Sequence, residues 1–105
     1  ADREDPTRVS PESYEVAQEN ERVRVLTEAL APGGTIGRHR HPDHVLIAIS
    51  GGRIAAKSVH GRVETIEVQP GDALWFPAGA HEIENVGPHP WRAAIVEFKP
   101  AERRD

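Results

Sequence analysis

An all-β fold in one domain, a sandwich or a barrel, is predicted by three observations. Nine Gly and nine Pro punctuate the 105-residue chain, the segments between them are short and rich in Val and Ile, and no stretch reads as a long helix. A chain of this length closes around a single core and has room for one site.

Residues 1–13 are polar and are expected to form an arm or a single short turn ahead of a body spanning residues 14–99, with 100–105 a loose tail. Tyr14 to Ala17 reads as a partly apolar first strand. Arg22 to Leu30 alternates in part, with Val23, Val25, Thr27 and Ala29 on one face and Arg22, Arg24 and Glu28 on the other, as a half-buried strand does. Ala31-Pro32-Gly33-Gly34 ends it. Val45 to Ile49 is apolar on both faces, the pattern of a central strand covered from two sides, and Ser50-Gly51-Gly52 closes it.

Ile54 to Val59 and Val63 to Val68 form a hairpin if His60-Gly61 supplies the positive φ angles of a two-residue turn. Gln69-Pro70-Gly71-Asp72 predicts a type II turn, because Pro presets φ at its second position and Gly tolerates positive φ at its third. A strand from Ala73 to Phe76 follows. Alternation resumes from His81 to Val86, with Ile83 inward, Glu82 and Glu84 outward, and His81 inward by period two. After the turn Gly87-Pro88-His89-Pro90, Trp91 to Phe98 reads as a second buried central strand, and Ala101 to Asp105 as charged tail.

Composition narrows the function. Without cysteine there is no disulfide, thiolate nucleophile or zinc finger, so histidine and carboxylate must carry any metal. Thirteen basic residues, scattered among seventeen acidic ones for a net charge of -4, argue against a nucleic-acid partner. No apolar run approaches the roughly 18 residues of a membrane helix, so no membrane partner is expected. The chain starts at Ala1, expected after removal of a secretory signal or after trimming, which leaves cytoplasmic and periplasmic or secreted locations both open.

Three histidines lie within six positions, His39-Arg40-His41-Pro42-Asp43-His44, and a fourth, His81, follows Pro77-Ala78-Gly79-Ala80. His39 and His41, two apart, project from one face of an extended strand, which is the spacing of a strand-borne chelate. His81, inward from a distant strand, meets them if the sheet closes. His44 joins the metal ligands if a bulge at Pro42 resets the strand phase. If the strand runs straight through, Val45 faces the metal and water completes the site. Asp43 is then a reserve ligand, an acceptor that fixes an imidazole tautomer, or a solvated turn residue. His60 and His89 sit in turns and are read as exposed; Trp75, Phe76 and Trp91 are read as core packing.

Gly33, His39 and His41 match the opening of G-x5-H-x-H-x3-4-E-x6-G, with His44 in place of the Glu, one residue early, and Gly51 after it. Gly71, Pro77, Gly79, His81 and Asn85 match G-x5-P-x-G-x2-H-x3-N with one residue fewer before the His. These are the two motifs of the cupin superfamily, small metal-centred β-barrels, and the chain resembles a subgroup of single-domain bacterial cupins with an HxHPD-type first motif. The resemblance implies a cupin-type double-stranded β-helix (jelly-roll) barrel. It carries His39, His41 and His81 over as metal ligands directly and His44 by substitution for the Glu, and it implies dimers built through the early strands Tyr14 to Ala17 and Arg22 to Leu30.

Such a site is expected to take Fe, Ni, Zn, Mn or Cu as a divalent ion. Two uses of it follow. One is a metalloenzyme acting on a small oxygen-bearing organic substrate, as a dioxygenase or as a Lewis-acid isomerase, cyclase or lyase. The other is a binding or sensing barrel without turnover, which four closed protein ligands would favour.

Overall fold

A computed structural model describes residues 2–100; the Ala101 to Asp105 tail lies outside them. Among the described residues one short helix, α1 (Pro6–Val9), precedes nine strands: β1 (Tyr14–Glu19), β2 (Val23–Leu30), β3 (Thr35–His41), β4 (His44–Ala48), β5 (Gly52–Ser58), β6 (Val63–Val68), β7 (Ala73–Phe76), β8 (Gly79–Asn85) and β9 (Trp91–Phe98). They form two antiparallel sheets, ordered β1-β2-β9-β4-β7 and β3-β8-β5-β6. The interior between them is filled from both sides, by Leu26, Leu30, Ala48, Trp91, Ala93 and Ile95 of one sheet and by Ile36, Ile54, Val68 and Ile83 of the other.

The turns follow their residue chemistry. Gly71 takes φ 90° and the Asp72 amide donates to the Gln69 carbonyl, closing the expected turn around Pro70. The β5–β6 hairpin forms, but not through a two-residue loop: among the described residues only glycines have positive φ, so His60 cannot join Gly61 (φ 82°) in such a turn. The loop is Val59-His60-Gly61, with the Ser58 amide donating to the Arg62 carbonyl, and the single left-handed residue is glycine.

Strand β2 reverses the expected use of its faces. Arg24, Leu26, Glu28 and Leu30 carry its more buried face, with Leu26 and Glu28 fully buried, while Ala29 is exposed and Val23, Val25 and Thr27 are half-buried. Polar residues occupy the inward side because each has a partner there, so hydrophobic alternation misassigns the strand. Strand β4 does sit between β9 and β7, yet only one of its faces is covered. Ile47 (38 % exposed), Ile49 (49 %), Trp75 (58 %) and Phe98 (39 %) lie open, so Trp75 is not core.

The short turn expected near the N-terminus forms as α1, and the residues beside it dock on the barrel. Asp5 caps α1 by accepting from the Thr7 amide, Pro6 is buried, and the Arg40 amide of β3 donates to the Glu4 carbonyl at 2.7 Å. Close packing around Trp91 gives one test of the fold. A Cβ at Gly52 would stand 2.8 Å from the Trp91 ring, so Gly52→Ala should cost about 1–3 kcal/mol in a urea titration. An unchanged midpoint would mean that Trp91 is not seated against β5.

Candidate metal centre

The two sheets bring the histidines together from three strands. His39 and His41 project from β3, and β8 pairs beside it with His39 directly opposite His81. A register irregularity between Ile36 and His39 puts Ile36, His39 and His41 all on the buried side. The chain then turns at Pro42-Asp43 and enters the other sheet, so His41 and His44 need no shared strand phase. His44 is 5 % exposed and Val45 is half-buried on the opposite face.

Ring nitrogens of His39, His41 and His81 all lie within 4.8 Å of one another. His44 is not in that triad. It stands beside His41 with ring centroids 4.6 Å apart and stacks on Phe76 at 5.4 Å.

Three of the four rings are held by their Nδ1 atoms. His39 Nδ1–H donates to the Gly37 carbonyl (2.9 Å), His44 Nδ1–H to the Pro42 carbonyl (2.8 Å), and His41 Nδ1–H to Glu97 Oε2 (2.7 Å). Carbonyl and carboxylate oxygens only accept, so each Nδ1 must carry the hydrogen and each Nε2 keeps a free lone pair. His39 Nε2 faces His81 Nε2 at 3.0 Å, an arrangement that requires a proton on His81 or a cation between the two. Outer partners of this kind orient the imidazoles of metal sites. The donor set therefore fits a divalent transition ion, and His39, His41 and His81 are the residues that can hold it.

The sequence reading missed the groups behind the histidines. Glu97, 3 % exposed, takes His41 on one oxygen and Arg24 on the other, with Arg24 Nη2 at 2.8 Å. Arg24 in turn pairs with Asp5 at 2.9 Å. Asp5, in the segment expected to form only an arm or a short turn, thus anchors the far end of a run of contacts that ends on a candidate ligand. Glu28, 4 % exposed, accepts from the Tyr14 hydroxyl and from Trp91 Nε1 (2.8 Å), and the Tyr14 oxygen is 3.3 Å from His39 Nε2. Asp43, exposed, accepts from the Ala78 amide (2.8 Å) and so pins the β7–β8 turn rather than any imidazole. His60 and His89 are exposed, as expected.

Burial holds the His39 imidazole down to about 4. His81 is lowered to about 3 by burial and then by the neighbouring His39, His41 and His44, and burial also lowers His44. All three are neutral near pH 7, as ligation requires. The unfolded chain binds these protons near the ordinary histidine value of 6.5, above the folded values, so between them the unfolded state holds more protons. The contribution to stability is complete above about pH 6.5 and is lost as the pH falls toward 4 and then 3. The urea midpoint of metal-free protein should therefore drop between pH 7 and pH 4, and a flat profile there would contradict the buried, neutral cluster.

His41, His44 and His81 open onto a cavity of about 230 Å³ between the sheets, whose walls include Leu46, Ile54, Ile66, Phe76, Ile83 and Ile95. Phe76 thus lines the cavity instead of packing the core.

The Cupin domain family model matches residues 26–97. The chain belongs to the cupin family. Its two sheets are the cupin β-barrel, and no helix among the described residues is long and apolar enough to cross a membrane. No curated protein matches the sequence. Among solved structures, a cupin domain from Bordetella pertussis Tohama I is similar at 28 % identity with a TM-score of 0.76, over 83 % of this chain and 92 % of that one. A conserved double-stranded β-helix protein from Klebsiella pneumoniae is similar at 26 % identity and TM-score 0.65, over 86 % and 84 %. The polyketide cyclase RemF from Streptomyces resistomycificus shares the fold at 21 % identity and TM-score 0.61, over 81 % of this chain and 63 % of its own.

Proposed function

We propose that this cupin is a metal-dependent enzyme acting on a small oxygen-bearing organic substrate. One observation carries the reading: three imidazoles converge within 4.8 Å of one another, two of them, His41 and His81, line a largely apolar cavity, and His39 and His41 have their outer nitrogens tied. A divalent ion in such a site supplies Lewis acidity toward a carbonyl or enol oxygen and, where redox-active, chemistry with dioxygen. Three protein donors leave room for substrate, as catalytic sites do and closed structural sites do not.

The remaining roles fall to the chain itself. His39, His41 and His81 bind the ion. Glu97 and Arg24 hold the His41 ring in one tautomer. His44, tethered and stacked on Phe76, borders the cavity and positions the substrate. The apolar walls exclude water from the reacting end. Dioxygen chemistry on an enolised dicarbonyl is the first reaction to test, with isomerisation, cyclisation or elimination as the Lewis-acid counterpart; one structural neighbour is described as a polyketide cyclase.

Anaerobically prepared Fe(II) protein should consume oxygen on addition of a 1,3-diketone or a flavonol, read with an oxygen electrode. The Zn(II) protein should catalyse no oxygen uptake. Silence across such substrates would remove the dioxygenase reading.

Substitution of His44 separates turnover from mere binding. His44→Ala in untagged protein should keep its metal within about threefold, since His44 stands outside the triad, while oxygen uptake falls. A loss of roughly ten- to a hundredfold in metal affinity would make it a fourth ligand and favour a closed, non-catalytic binding barrel.

A further inference from the structure

The wall of the cavity holds one buried acidic group that the proposed chemistry leaves unused. Glu28 lines the cavity from β2, 4 % exposed, and among the described residues its side-chain partners are the Tyr14 hydroxyl and Trp91 Nε1. Among the described residues it makes no salt bridge, unlike Glu97 with Arg24. Both its donors are neutral, so a carboxylate faces the cavity without a compensating cation. The Tyr14 oxygen also lies 3.3 Å from His39 Nε2, which places Glu28 on the His39 side of the candidate ion.

The other walls are set by packing. Leu46, Ile54, Ala56, Ile66, Ile83 and Ile95 present hydrocarbon. Arg62 also borders the cavity, but its side chain is 80 % exposed and lies 3.6 Å from Glu64, which also borders it. The interior therefore offers no buried cation to a second anionic group. A phosphate, or the far end of a dicarboxylate, would lose its hydration against hydrocarbon and meet Glu28, both unfavourable. A ring or short aliphatic body would instead be gained by burial. At about 230 Å³ the space falls below the ~300–1,000 Å³ typical of sites for drug-sized ligands, which limits that body to a small molecule.

We infer that the site selects small oxygen chelates with an apolar, uncharged body, such as cyclic hydroxyketones and enols, and that Glu28 is the residue that rejects compact polyanions. This inference rests on the metal-dependent reading above and names the substrate class that reading leaves open.

The test compares two chelators that grip a metal through two oxygens in a five-membered ring, tropolone with a hydrocarbon body and oxalate with none. Both are titrated by calorimetry into untagged Zn(II)-loaded protein and, as reference, into aqueous Zn(II). The protein should shift the preference toward tropolone by roughly a hundredfold relative to the free ion. Glu28→Gln should keep its zinc and bind tropolone within about threefold of wild type, while its affinity for oxalate rises roughly tenfold. Ile66→Asn, at a half-buried position on an edge strand, should weaken tropolone without changing zinc content and serves if the Glu28 variant does not fold.

Zinc retained with the free ion's own preference would overturn the inference and leave the metal site standing. A tropolone preference with oxalate unmoved in Glu28→Gln would overturn the role given to Glu28. Wild-type protein that holds no zinc would defeat both the inference and the reading beneath it.

Discussion

Replacing His39 by leucine should abolish stoichiometric metal binding. The ring is fully buried at 0 % exposure, its Nδ1–H is spent on the Gly37 carbonyl, and its Nε2 points at His81. Structural zinc sites gain about 10–16 kcal/mol from roughly four donors, so one donor carries some 3 kcal/mol, on the order of a hundred- to a thousandfold in Kd. Leucine fills the space, so the barrel should still fold, as near-ultraviolet circular dichroism would report. Elemental analysis after dialysis of untagged protein should then find metal in the wild type and little in His39→Leu. Equal metal in both would place the ion elsewhere.

The second large effect is on stability. Trp91 is 1 % exposed, packs against β5 at Gly52, and donates Nε1–H to Glu28. Trp91→Ala opens a cavity in the middle of the barrel, a change that costs about 3–5 kcal/mol, and removes one of the two hydrogen bonds that satisfy a buried carboxylate. In a domain of this size each kcal/mol moves the melting temperature by roughly 4–8 °C, so a fall of more than about 12 °C is expected by calorimetry. Trp91→Phe should recover most of the packing but not the hydrogen bond. A shift of only a few degrees for Trp91→Ala would mean that the Trp91 ring does not carry the core.

What the sequence revealed of this site was its locally determined part. The His39-x-His41 spacing needs only an extended backbone, His81 needs only period two from Ile83, and Pro70-Gly71 encodes its own turn. The supporting groups depend on register across distant strands. Glu97 meets His41 56 positions away and Arg24 73 positions away, and no pattern within one strand reports either contact. On β2 the local signal points the wrong way, because Arg24 and Glu28 spend polar side chains on the inward face. Neither a bulge at Pro42 nor a strand running straight through decides where His44 points, because the chain turns into the other sheet there and sets His44 inward independently of β3.

The same geometry explains why residues outside the two cupin motifs deserve mutation alongside the histidines. Asp5, Arg24 and Glu97 form one charged run that ends on His41, while Tyr14 and Glu28 form a neutral-donor and carboxylate pair that ends on His39. The first fixes a ligand; the second borders the space a substrate would occupy.

Rings from β3 and β8 should grip one ion inside the barrel. Anomalous diffraction at the metal edge, on crystals of untagged Zn(II)-loaded protein, tests it most directly. One strong peak is expected about 2.0–2.1 Å from ring nitrogens of His39, His41 and His81. A peak at the exposed His60 or His89, or none within the barrel, would contradict it.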